Sequence, residues 1–164
     1  DIDENLSDES IRQKIRDEYL RDSSVTILLV GTETKKRKHI DWEIYSSMYD
    51  GQVNKKSGIL VINLPTTGCT NYTAAHGDEE KSALYPDVSG WVSIKTRVDY
   101  ESRFPYMPSR IIDNLLKNGA KVSVATWESV TADTEKLRLL IDLTFNDRAS
   151  CSYDLSSTMR RANS

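Results

Sequence analysis

The hydrophobic positions of this chain fall into two periods. Val25, Thr26, Ile27, Leu28, Leu29 and Val30 form an unbroken β-branched and aliphatic run, the pattern of a strand covered on both faces of a parallel sheet. Gly31 ends the run, and a polar, basic connection over residues 32–38 leads into residues 39–50, where Ile40, Ile44 and Met48 recur every fourth position and Tyr45 and Tyr49 widen the stripe. That is the period of an amphipathic helix. Residues 58–64 (GILVINL) repeat the buried-strand pattern and stop at Pro65, which lacks the N–H that an interior ladder needs. Strand, helix and strand in this order predict a parallel α/β sheet.

The flanking segments are less regular. Ser7 or Asp8 is placed to cap a helix whose Ile11, Ile15 and Tyr19 share one face and which runs to about Asp22. Asp50 and Gly51 predict a glycine C-cap for the helix over 39–50. Residues 66–90 lose all periodicity and read as one long connection, of the kind that covers a ligand or stays mobile. Residues 91–96 alternate as a short strand would, and residues 97–107 are irregular. Pro108 then opens a helix with Ile111, Ile112, Leu115 and Leu116 on its apolar face, ended by Asn118 and Gly119. Residues 121–126 predict another strand and residues 132–146 a last helix, with Leu137, Leu140, Ile141 and Thr144 inward. From Asp147 the tail is polar, with Tyr153, Leu155 and Met159 as its anchors.

Composition adds limits. A chain of 164 residues, 38% hydrophobic and 29% charged, fits one globular domain over residues 1–164. Its 22 basic and 25 acidic side chains are dispersed and leave a net charge of -3, so no whole-domain field favours nucleic acid or an anionic membrane. The expected partner is a small molecule or another protein. Cys69 and Cys151 form neither a disulfide framework nor a metal spacing, and a cytoplasmic home is expected. No run has the length of a membrane span or the pattern of a signal peptide. The chain opens on Asp1, and no strand precedes Ser24, so an upstream segment is expected.

Motifs for known chemistries are sparse. The loop GTETKKRK after a buried strand has glycine, hydroxyls and lysines near a helix N-terminus, where an anion could sit. It has the spacing of neither G-x-x-x-x-G-K-[ST] nor G-x-G-x-x-G. His39 and His76 have no cysteine or carboxylate at ligand spacing, so no metal site is expected. No G-x-S-x-G accompanies the serines, which removes support for a hydrolytic triad. Tyr100, Phe104, Tyr106 and Trp127 read as packing aromatics. In an open α/β sheet, ligands gather beyond the carboxyl ends of the strands, so Glu43, one turn into the helix and beside Trp42, is a carboxylate near the expected crevice.

The segments SVTILLVG and TETKKRKHIDWEI, with IRQKIRDEYLRDSS before them and ILVINLP, FPYMPSRIIDNLL and LRLLIDLTFNDR after them, resemble the TIR-like family whose bacterial members include the Thoeris anti-phage protein. The resemblance implies a flavodoxin-like three-layer sandwich around a mostly parallel sheet. It implies that Glu43 is the catalytic carboxylate of an enzyme that cleaves NAD at the nicotinamide ribosyl bond, as a glycohydrolase or an ADP-ribose cyclase. NAD is then a substrate, and no cofactor is implied. Trp42, His39, Gly31 and Thr32 are the implied substrate-binding residues. Self-association and a separate effector protein, reached through a diffusible cyclic nucleotide, are the implied partners. The chain departs from the family at His39, where tryptophan is common, and it lacks the family's first strand and helix within these residues. Two other readings stay open. One is a non-catalytic TIR-like or receiver-like module that binds a nucleotide or a protein partner, and the other is an unrelated flavodoxin-like flavoprotein.

Overall fold

The computed structural model describes residues 2–164. Three parallel strands, β1 (Val25–Val30), β2 (Gly58–Asn63) and β3 (Ser123–Thr126), lie side by side in chain order. β1 pairs with β2 from Val25 opposite Gly58 to Val30 opposite Asn63, and β2 pairs with β3 from Leu60 opposite Ser123 to Asn63 opposite Thr126. Around them the described residues form α1 (Asp8–Glu18), α2 (Lys38–Met48), α3 (Asp78–Leu84), α4 (Arg97–Arg103), α5 (Ser109–Leu116), α6 (Trp127–Ala132) and α7 (Thr134–Asp147).

Because strand side chains alternate, the sheet buries two separate apolar layers. On one face Leu28, Val30, Ile59, Val61 and Val124 pack with Ile44 and Met48 of α2, Tyr100 of α4 and Ile111 and Ile112 of α5. On the other, Leu60, Ile62 and Ala125 pack with Leu84 of α3, Val130 of α6 and Leu140 of α7. The result is an α/β, flavodoxin-like three-layer sandwich: the strand and helix periods predict its parallel sheet, and the family resemblance implies the sandwich.

β1 departs from its reading as a strand covered on both faces. Leu28 and Val30 are buried, but Ile27 and Leu29 are 40% and 45% exposed. The cause is cover: the apolar layer on that face takes in Leu60 and Ile62 of β2 and Ala125 of β3 but no residue of β1, whereas all six residues of β2 are buried. An apolar run records that a strand is buried somewhere, not how many layers cover it.

Several boundaries also differ from the sequence reading. α1 is capped by Ser7, whose side chain accepts from the Ser10 N–H, and it stops at Glu18, leaving Tyr19 64% exposed beyond its end. α2 ends through Tyr49 in extended backbone, without a glycine cap at position 51. The left-handed glycines among the described residues are Gly68, Gly77 and Gly119. Residues 66–90 are a built segment: a 3-10 turn over Pro65–Thr67, an antiparallel bridge from Thr73 to Val124 and the whole of α3. Residues 91–96 enter no ladder, and the irregular stretch 97–107 contains α4, which Thr96 caps by accepting from the Asp99 N–H. The last helical region starts earlier than position 132 and is broken in two, α6 and α7, at Asp133.

α7 lies close against β2 at Gly58. A Cβ there would lie 2.6 Å from both Cγ2 and the carbonyl oxygen of Thr144 in α7. Gly58→Ala is therefore expected to cost about 1–3 kcal/mol by forcing α7 off β2, seen as a lower denaturant midpoint at unchanged slope.

Candidate functional site

α1 packs on the side of α2 that faces away from the sheet, through a small core of Ile11, Ile15, Trp42 and Met159. Beside that core the two helices leave a hollow of about 670 Å³. The lead-in segment contributes Ile2 and Glu4 to its wall, α1 and its end contribute Ile15, Tyr19 and Leu20, and α2 contributes His39, Trp42 and Glu43. The α2 residues follow from helical spacing, since positions 39, 42 and 43 share one face while Ile44 and Met48 turn to the sheet. The volume lies in the range of small-molecule and cofactor sites.

The two carboxylates of this hollow sit in opposite environments. Glu43 is a solvent-exposed residue on the wall of the hollow and makes no hydrogen bond or ion pair among the described residues. Partial desolvation by the concave wall raises its affinity for a proton above the ordinary carboxylate value, with the neighbouring His39 opposing the rise. Glu4 is shifted the other way, first by its hydrogen bond from Lys38 and further by His39, whose Nε2 is 3.7 Å from Glu4 Oε1. Two acids driven apart by their surroundings are a common mark of a reactive site. Here the unpaired one is Glu43.

Trp42 is only 1% exposed, so it presents an edge to the hollow and fixes the wall. His39 lies against it with ring centroids 4.8 Å apart in an edge-to-face arrangement. The indole N–H donates to the Arg160 carbonyl at 2.8 Å. Gly31 and Thr32 are not part of this wall. The Gly31 N–H instead donates to Thr34 Oγ1 at 2.9 Å, which turns the chain toward α2. The lysines of the basic loop are occupied within the chain: Lys35 donates to the Pro105 carbonyl at 2.7 Å, Lys36 pairs with Glu33 at 3.0 Å, and Lys38 pairs with Glu4.

Residues 1–68 match the family described as Thoeris protein ThsB, TIR-like domain. That segment, less than half of the chain, is similar to a TIR-like domain. The match spans α1, β1, α2 and β2, and so includes both helices that build the hollow. A search of curated proteins and a search of solved structures gave no match.

α2 is held in place from behind. Asp41 accepts from Arg110 of α5 through Nε at 2.8 Å and Nη2 at 3.1 Å, and from the Arg160 N–H at 2.9 Å. Arg110 also donates to the carbonyls of Ser157 and Thr158. Both members of the pair are buried, at 6% and 3% exposure. The tail therefore lies along α2 as a strap. Met159 is buried in the α1–α2 core, and the Tyr153 hydroxyl accepts from the Ile59 N–H at 3.1 Å, so those anchors hold as read. The polar grip of Arg160 and Arg161, the latter on Asp8 and the Leu6 carbonyl, has no signature in the sequence.

A second polar cluster lies at the other end of the sheet. His76 Nδ1 and Asp147 Oδ2 are 2.7 Å apart, and Glu80, fully buried, accepts through Oε1 from the Ser123 hydroxyl at 2.7 Å and the His76 N–H at 3.1 Å. Oε2 of Glu80 has no partner. Burial raises the Glu80 carboxyl above its ordinary value, and the Ser123 hydrogen bond opposes this. A folded-state value above the unfolded one gives stability that is complete below the unfolded value and is lost as pH rises through the folded one. Glu80→Gln keeps the accepting oxygen, so the variant is expected to be more stable than the parent at neutral pH and equal or weaker in acid, as read by denaturation across pH 4–8. No group of three His, Cys, Asp or Glu side chains is placed to hold a metal among the described residues. No helix among them is long and apolar enough to cross a membrane.

Proposed function

We propose that this TIR-like domain cleaves NAD at the nicotinamide ribosyl bond in the hollow between α1 and α2. Glu43 supplies the carboxylate, and the ADP-ribose formed, linear or cyclised, is the signal passed to a separate effector protein. The observation that carries this reading is the Glu43 carboxylate, unpaired and partly desolvated, facing a hollow of about 670 Å³ beside Trp42 and His39.

The chemistry asks for little more. Nicotinamide leaves NAD as a neutral molecule because the positive charge it carried passes to the ribose, so its departure needs no acid. What develops is an oxocarbenium-like ribosyl cation, which an anion beside the ribose stabilises and can orient through the ribose hydroxyls. Attack by water gives ADP-ribose and one proton, and attack by a ring nitrogen of the adenine gives a cyclic product. His39, one turn from Glu43, tunes the same anion.

Purified protein at a concentration high enough for self-association should convert NAD into equal amounts of nicotinamide and an ADP-ribose product, followed by chromatography. An NAD pool that stays intact across that concentration series leaves the non-catalytic module as the reading.

A further inference from the structure

Residues 70–94 build a second hollow, of about 640 Å³, whose lining shares no residue with that around Glu43. Its aromatic side is ordered: Tyr72 stacks on Tyr85 with centroids 4.0 Å apart and planes 9° from parallel, and Trp91 sets against both rings at 5.9 and 5.5 Å. Lys81 Nζ lies 4.9 Å over the Trp91 ring. Arg103 reaches the same hollow from α4, while its carbonyl accepts from Cys69 Sγ and Asn71 Nδ2. Neither Lys81 nor Arg103 pairs with a carboxylate among the described residues. The wall contains no Asp or Glu at all, in a chain whose acids outnumber its bases.

A core patch would explain the stacked rings but not two cations left without acids in one concave wall. We infer that this hollow is a binding site for a small aromatic anion of the mononucleotide type, its planar base against Tyr72 and Trp91 and its phosphate at Lys81 and Arg103. A guanidinium fork matches phosphate oxygens two at a time, and an aromatic face takes any base without reading its edges. The volume suits one such molecule. The Ser93 hydroxyl lies on the same wall, while the Thr73 hydroxyl is engaged by the Val122 carbonyl and the Val124 N–H. This inference does not depend on NAD cleavage, and adenosine monophosphate contains no nicotinamide to lose.

The test is calorimetric titration of adenosine monophosphate into the whole protein, with adenosine and inorganic phosphate as separate probes. Saturable binding of the monophosphate is expected, with each fragment about tenfold weaker or worse. Trp91→Ala should weaken it about tenfold, and Arg103→Gln, a change on the surface of a short helix, about threefold or more. Glu43→Gln should leave it within about twofold, because that residue lines the other hollow. The inference is overturned by an absence of saturation up to about 1 mM, a ligand concentration at which only very weak sites stay empty. It is equally overturned if Trp91→Ala and Arg103→Gln both bind as the parent does while keeping its thermal midpoint, or if Glu43→Gln abolishes binding.

Discussion

Glu43→Gln is expected to lower nicotinamide release from NAD by about a hundred- to a thousandfold, the scale of losing one preorganised charge at a transition state. The stability of the variant should stay within ~0.5 kcal/mol of the parent, because the Glu43 side chain faces the hollow and engages no donor among the described residues. The loss should fall on kcat with KM little changed, since the anion acts on charge that exists only as the bond breaks. A pH profile gives an independent reading. The reaction needs the ionised carboxylate, and its proton affinity is raised above the ordinary value of 4.5 by desolvation. Activity should therefore fall on acidification at a pH above that value, and the residual activity of the variant should lack that limb. A variant that loses activity together with its thermal midpoint would assign Glu43 to structure.

Arg110→Met should be the most damaging single change for stability. It leaves Asp41, 6% exposed, with the Arg160 N–H as its remaining donor and removes two carbonyl contacts to the tail. Breaking one partner out of a buried pair costs about 3–5 kcal/mol, which in a chain of this size lowers the melting midpoint by roughly 6–20 °C. The strap over residues 157–160 should then open to limited proteolysis at Arg160 and Arg161. Adding Asp41→Leu should recover much of the loss, because the uncompensated charge goes with it. If Arg110→Met alone costs less than ~1 kcal/mol, the pair is a passive contact and the strap is held by Met159 and Trp42.

The sequence reading found what periodicity encodes. β2 shows this best, since a central strand needs apolar residues on both faces and GILVINL has them. β1 carries the same kind of run, yet its exposure depends on a covering layer that the run does not mention. α4 and α6 are seven and six residues long, too short to show a stripe. Each is capped by a threonine, Thr96 accepting from the Asp99 N–H and Thr126 from the Ser129 N–H. At the site, His39, Trp42 and Glu43 are legible as one helical face. Glu4, Tyr19 and Leu20 are not, because the lead-in and the end of α1 reach the hollow only through the packing of α1 on α2. Asp41 and Arg110 lie 69 positions apart, and no local pattern links them.

The most direct test is to map NAD by chemical-shift perturbation on the Glu43→Gln protein, where the substrate is not consumed. The account predicts saturable shifts of the Trp42 indole N–H and of the backbone signals of His39, Trp42, position 43, Tyr19 and Leu20. Signals there that stay unmoved while the protein remains folded and NAD is in excess would contradict it.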